Sequence, residues 1–116
     1  MMNIRSLDVR FFATASGTEP VREWLKSLAV LERRKIGEDI KTVQFGWPLG
    51  MPLVRKLAQS LWELRIHLAD RIARILFTVI DGIMVLLHGF IKKSQTTPAD
   101  DLEIAKNRLK QIRNGK

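Results

Sequence analysis

Three strand-like runs follow one another with only short turns between them, and this stretch constrains the fold more than any other. The runs are residues 61–68, 71–79 and 83–90. Asp81 and Gly82 separate the second run from the third. An Asp-Gly pair suits the two central positions of a tight type I′ turn, because both positions need a positive φ. We therefore predict three adjacent antiparallel strands joined by hairpins.

The first two runs alternate between apolar and mixed faces, as strands do when they bury one side. Residues 83–90 are apolar on both faces except at His88, which predicts an interior strand. The side chains that we expect to support the fold are Trp62, Leu64, Ile75, Phe77, Val85 and Leu87. The side chains that we expect to carry any chemistry are Arg65, Arg74, His88, Lys92 and Lys93.

The remaining elements are predicted from turn residues and periodicity. Residues 7–13 alternate like a half-buried strand, and residues 30–45 carry an apolar stripe at helical spacing. Pro20 suits the first turn of a short helix. Residues 54–57 form a short basic edge strand after a loop with two prolines. Thr97, as the cap before a proline, predicts the start of a C-terminal helix.

The predicted order is β-α-α-β-β-β-β-α, which gives an α+β domain. We expect a small, largely antiparallel sheet of four or five strands, with two N-terminal helices packed on it and a helix at the C-terminal end. A chain of 116 residues is one domain of common size, so residues 1–116 are expected to form a single domain.

The charge of the chain favours an anionic partner. The net charge is +8 at pH 7, and residues 51–97 hold the largest excess of basic over acidic side chains. There is no cysteine, which excludes disulfides and thiolate metal sites. The sequence has neither an apolar run long enough for a membrane span nor a signal peptide, so we expect a cytoplasmic protein with no membrane partner.

The basic residues of the sheet could support cleavage of RNA. Arginine binds phosphate through two parallel hydrogen bonds, so Arg65 and Arg74 on adjacent strands could converge on one phosphate. His88 or a lysine could transfer protons, and the RNA 2′-hydroxyl could serve as nucleophile without a metal or cofactor. Common alternatives are a surface or salt-bridged arginine and a hydrogen-bonded core histidine. Glu63 could simply be a partner of Arg65. Composition and spacing alone indicate a basic α+β domain associated with nucleic acid.

Six short runs resemble the phage-derived HigB-like branch of the RelE/ParE toxin superfamily. They occur in the expected order and span almost the whole chain. They are PVREWL (20–25), LGMP (49–52), LWELRI (61–66), RILF (74–77), LLHGFIKK (86–93) and TTP (96–98).

The resemblance implies the toxin of a type II toxin–antitoxin pair, which cleaves mRNA during translation on the ribosome. Its partner would be a helix-turn-helix, HigA-like antitoxin, through which the complex would reach operator DNA. The catalytic set implied is Arg65, Arg74, His88 and Lys92. The expected RNA-binding residues are Lys56, Arg71 and Lys93. The chain has no tyrosine, which excludes a mechanism based on a C-terminal tyrosine.

Two other functions remain open at this point. The chain could be a non-enzymatic inhibitor of DNA gyrase, as in the ParE branch. It could also be an inactive relic of a toxin that only binds its antitoxin.

Overall fold

The computed structural model describes residues 6–92 and 97–115, which form five strands and three helices. Their order confirms the predicted α+β class. Among these residues, no helix has the length and apolar character that crossing a bilayer requires. The elements in chain order are β1 (Asp8–Phe11), α1 (Pro20–Lys26), α2 (Val30–Gly46), β2 (Val54–Ala58), β3 (Leu61–His67), β4 (Ile72–Ile80), β5 (Ile83–Lys92) and α3 (Ala99–Asn114).

The five strands make one mixed sheet in the order β1-β5-β4-β3-β2. Strands β3, β4 and β5 pair in antiparallel fashion, as the hairpin signals predict. Strand β2 is also antiparallel to β3, and β1 adds in parallel to β5. The turn between β4 and β5 has φ of 50° at Asp81 and 77° at Gly82, which confirms the type I′ interpretation. The predicted edge strand is β2, and β5 lies in the interior of the sheet.

Helices α1 and α2 cover one face of the sheet and enclose the larger core. Trp24 of α1 lies directly over Gly89 of β5, where an added Cβ would come within 2.4 Å of the indole ring. A side chain at position 89 would therefore push α1 away from the sheet. The fully buried members of this core include Val21, Ile36, Val43, Leu64, Ile66, Ile75, Phe77 and Leu86.

Helix α3 covers the opposite face over a second, smaller core. The pairing of β4 with β5 shifts between Leu76 and Phe77, whose partners are His88 and Leu86. Leu87 is the extra residue of this bulge, so Leu87 and His88 both lie opposite Leu76. The buried residues of this core are Phe12, Leu61, Leu76, Leu87, Phe90, Ala105 and Leu109.

Helix α3 begins one residue later than the sequence predicts. Pro98 is the N-cap residue, with extended φ and ψ of −61° and 145°, and the helix starts at Ala99. The predicted cap, Thr97, instead donates a hydrogen bond from Oγ1 to Oε2 of Glu63 at 2.7 Å. A buried carboxylate is a stronger acceptor than the groups available locally, and it directs the threonine into the sheet.

Candidate functional site

Arg65 and Arg74 are direct partners across β3 and β4. Direct cross-strand partners project from the same face of a sheet, and residues two apart on one strand share that face. The same face therefore also carries Glu63 on β3 and His88 on β5, next to the first turn of α3. The structure thus brings together three of the four residues predicted to be catalytic.

Glu63 is the buried acid at the centre of this cluster. Its Oε2 lies 3.6 Å from Nη1 of Arg74, and its Oε1 lies 3.7 Å from Nε of Arg65. The hydrogen bond from Thr97 fixes the same carboxylate from the side of α3. These contacts confirm the interpretation of Glu63 as a partner of Arg65 and extend it to Arg74.

The two arginines differ in their access to solvent. The side chain of Arg74 is fully buried, whereas that of Arg65 is 11% exposed. Burial lowers the pKa of the Arg74 guanidinium, and the nearby carboxylate of Glu63 opposes that change. Arg74 still keeps its charge at neutral pH, because arginine starts from so high a pKa. An incoming anion would therefore meet Arg65 first.

His88 is held by an acid from α3. Its Nε2 lies 2.7 Å from Oδ1 of Asp101, and its ring stacks on Phe90 with centroids 5.4 Å apart. When the imidazole is neutral, its Nε2–H donates to Asp101 and its Nδ1 is left as a proton acceptor. This arrangement fixes both the orientation of the ring and the nitrogen that can act as a base.

Lys56 lies away from the other predicted site residues. It pairs with Trp62, whose ring packs on the face covered by α1 and α2, and its Nζ lies 5.8 Å from the centroid of that ring. Lys56 therefore lies on the opposite side of the sheet from Arg65 and Arg74, whose side is called the arginine face below, because one step along a strand reverses the side-chain direction. Arg55, which pairs with Glu63, occupies the corresponding place on the arginine face.

Arg71 is also engaged elsewhere. Its Nη2 donates a hydrogen bond to Oε2 of Glu32 in the first turn of α2. The structure therefore places Arg71 between the sheet and α2, apart from the cluster around Glu63.

The two predicted lysines belong to the end of β5 and the segment after it. The backbone of Lys92 pairs with Ile72 at the end of β5, and Lys93 lies outside the described residues.

Sequence reasoning missed two members of the cluster, Arg55 and Asp101. The alternation of β2 could have identified Arg55, had the register with β3 been known. Nothing in the sequence links Asp101 to His88, which lies 13 positions earlier. Within residues 6–92 and 97–115, no group of three or more His, Asp or Glu side chains is placed to hold a metal ion.

The cluster can bind an anion and move a proton. Three arginines, at positions 55, 65 and 74, face two carboxylates, at positions 63 and 101, so the cluster carries a net positive charge. Arg65 supplies hydrogen-bond donors near the surface, and His88 supplies an oriented imidazole. Such a set fits a phosphodiester, in which charge builds on oxygen as a bond breaks.

Comparison with known proteins places the chain in a family. No curated protein matches it. The family described as phage-derived protein Gp49-like (DUF891) matches residues 23–110, which include α2, all of β2 to β5 and most of α3. That family is associated with RelE-like toxins of toxin–antitoxin systems. The chain belongs to the phage-derived Gp49-like family.

Proposed function

We propose that this protein is the toxin of a type II toxin–antitoxin pair, of the HigB-like kind, and that it cleaves mRNA as it is translated on the ribosome. Membership of a family associated with RelE-like toxins supports the toxin role. The net charge of +8 supports an anionic substrate. The observation that carries the proposal is the placing of Arg65, Arg74 and His88 on one sheet face.

The proposed reaction uses the RNA 2′-hydroxyl as the nucleophile. His88 Nδ1 takes the proton from this hydroxyl while O2′ forms a bond to phosphorus. The bond between phosphorus and O5′ breaks, and O5′ leaves with a proton from a general acid, for which Lys92 is the candidate. The products are a 2′,3′-cyclic phosphate and a 5′-hydroxyl, and the reaction consumes no water.

The two arginines have different parts in this mechanism. Arg65, at the surface of the cluster, binds a non-bridging oxygen of the scissile phosphate. Arg74 is fully buried, so it acts through the field of its charge and through the carboxylate of Glu63, which it helps to hold. Charge that builds on the phosphate is stabilised by both guanidinium groups, because their positions are set before the substrate arrives.

The proposed partners follow from the toxin role. A helix-turn-helix antitoxin would hold the protein inactive and connect it to operator DNA. The ribosome would present the mRNA. Arg71 and Lys56, which lie off the arginine face, remain candidates for contact with ribosomal RNA, and Lys93 stays a prediction.

Inhibition of DNA gyrase without any chemistry is the second candidate function. The full burial of Arg74 is the observation that favours it, because a residue that binds substrate usually reaches solvent. In that case the basic residues would form a protein-binding surface and no RNA would be cut.

Mapping RNA 5′ ends after tightly controlled expression separates the two functions. Wild type should produce new ends within translated regions, and Arg65→Ala should reduce them by about 100-fold, as expected when a transition-state contact is lost. Arg22→Ala is a matched control, since Arg22 is also paired with a glutamate, Glu19, but lies on α1. Intact mRNA together with inhibited DNA supercoiling would reject the RNA-cleaving function.

A further inference from the structure

Among the residues that the structure describes, strand β1 forms one edge of the sheet and has β5 as its one neighbour. Its backbone bonds to β5 through alternate residues: the N–H of Asp8 donates to Gly82 O and that of Phe12 to Leu86 O, both at 3.0 Å. In a parallel ladder the residues between them, such as Phe11, direct their backbone groups away from the neighbouring strand. The outer edge of β1 thus presents peptide groups that can pair with another strand.

A groove runs along this edge, between β1 and the C-terminal half of α3. Its volume is about 720 Å³. Its lining includes Phe12, which is buried, and Ile112 of α3, and both belong to the smaller core. Phe11 lines the groove although its side chain packs in the core on the other face, so its backbone must reach the groove. The groove and the strand edge therefore form one continuous surface.

The groove is positively charged. Among the described residues that line it, Arg10 and Lys110 are the ionisable ones, and none is acidic. Arg108, which is not a lining residue, adds a third positive charge nearby, since its Cζ lies 5.5 Å from the ring centroid of Phe12. A segment that binds here should carry acidic side chains on either side of an apolar one.

The shape of this surface fits a peptide better than a nucleic acid. Single-stranded nucleic acids are held by stacking bases on exposed aromatic faces. Here Phe12 is buried beneath Arg108, and Phe11 carries Arg22 at 5.9 Å over its ring. An extended peptide, by contrast, can use the backbone groups of a sheet edge.

We propose that β1 and α3 form a docking groove for an extended acidic segment of a partner protein, which adds to the sheet as a sixth strand beside β1. The backbone of the segment pairs with Val9 and Phe11, one apolar side chain enters the groove beside Phe12, and flanking acids contact Arg10 and Lys110. Because β1 has four residues, the part of the segment that pairs with it should be about four to five residues long. At the rise per residue of a β-strand, this part spans roughly 15 Å. This proposal does not rest on RNA cleavage, because the groove shares no residue with the cluster around Glu63.

Selection from a library of random ten-residue peptides on the purified full-length protein tests the proposal. The enriched peptides should alternate apolar and acidic residues. On binding, they should shift the amide NMR signals of Val9 and Phe11. The proposal is overturned if no peptide is enriched or if the enriched peptides lack acids.

Three variants locate the binding of an enriched peptide. Arg10→Glu with Lys110→Glu should weaken it by more than about tenfold, since two attractive contacts become repulsive. Lys106→Glu, one turn away on α3 and outside this groove, should change it less than about twofold. Val9→Pro removes an outward N–H and should also weaken binding, and proline is tolerated at an edge of this kind. Equal effects of the double reversal at positions 10 and 110 and of Lys106→Glu would overturn the proposal.

Two rival occupants give distinct results in the same protein. A second copy of the chain would appear as a dimer in sedimentation that Val9→Pro dissociates. An RNA oligonucleotide would shift the Val9 and Phe11 amides and compete with the peptide. Either result would overturn the proposal, and thermal unfolding of each variant confirms that the fold is retained.

Discussion

Arg65 lies directly opposite Arg74 on the neighbouring strand, and the buried carboxylate of Glu63 contacts both guanidinium groups. Two like charges in direct cross-strand positions repel each other. The carboxylate offsets that repulsion inside a site with little solvent, so the cationic pair depends on Glu63 for its place in the fold.

Replacing Glu63 should therefore destabilise the protein. Glu63→Gln leaves the volume nearly unchanged but removes the charge between two arginines. We expect the free energy of unfolding to fall by about 3–5 kcal/mol, as when one partner of a buried ion pair is lost. Urea denaturation measures the change. Glu38→Gln, at an exposed site of α2, is the control, and equal stability of the two variants would contradict this account.

The contact between Trp24 and Gly89 predicts opposite effects for two alanine substitutions. Gly89→Ala places a Cβ against the indole ring and should cost about 1–3 kcal/mol through overpacking. Gly37→Ala, inside α2 with nothing within 4 Å of the added atom, should raise stability by up to about 1 kcal/mol. Thermal unfolding of both variants checks the pair. A neutral effect at position 89 would argue against the close packing of α1 on the sheet.

The ion pair of Arg71 with Glu32 predicts a dependence of stability on pH. The hydrogen bond from Arg71 lowers the pKa of the Glu32 carboxyl below its ordinary value of 4.5. A pKa lowered by folding gives stability that is present above the unfolded value and is lost as the pH falls through the folded value. The difference in unfolding free energy between wild type and Arg71→Gln should therefore shrink below about pH 4.5.

NMR titration of Glu32 gives an independent check of the same pair. The carboxyl of Glu32 should titrate at a higher pH in Arg71→Gln than in wild type. Arg22→Gln, which alters the more exposed pair with Glu19, should leave the titration of Glu32 unchanged. An unchanged Glu32 titration in Arg71→Gln would show that this contact is absent in solution.

Asp101 should affect RNA cleavage through His88. His88→Ala should reduce cleavage by about 10²–10⁴-fold if the imidazole transfers the proton. Asp101→Asn should give a smaller loss of cleavage, because the amide no longer holds the ring and its tautomer as firmly as the carboxylate does. Asp100→Asn changes the same charge in the same turn of α3 at an exposed position. Equal cleavage rates for the two asparagine variants would remove Asp101 from the mechanism.

The sheet could be predicted in detail because its signals are local. The alternation of apolar and polar residues predicted which side chains of β3 and β4 share a face. The Asp81-Gly82 pair predicted the hairpin that joins β4 to β5. The parallel pairing of β1 with β5 could not be predicted in this way, because it joins residues about 75 positions apart, such as Asp8 and Ile83.

The candidate site was predicted less completely, for reasons of packing. Arg65, Arg74 and His88 were predicted to carry any chemistry, but the burial of Arg74 depends on α3 and on the carboxylate of Glu63. Arg55 was missed because the register between β2 and β3 decides which residue of a basic pair faces the site. Thr97 was assigned as a cap, but it is recruited by an acid 34 residues earlier in the chain.

The most direct test of the central claim is cleavage of a defined mRNA by the purified protein on programmed ribosomes. One substrate is all RNA, and a matched substrate carries a single 2′-deoxynucleotide on the 5′ side of the cut site. The account predicts a 5′-hydroxyl and a 2′,3′-cyclic phosphate from the first substrate and no cut at that site in the second. Equal cleavage of both substrates, or no cleavage of either, would contradict it.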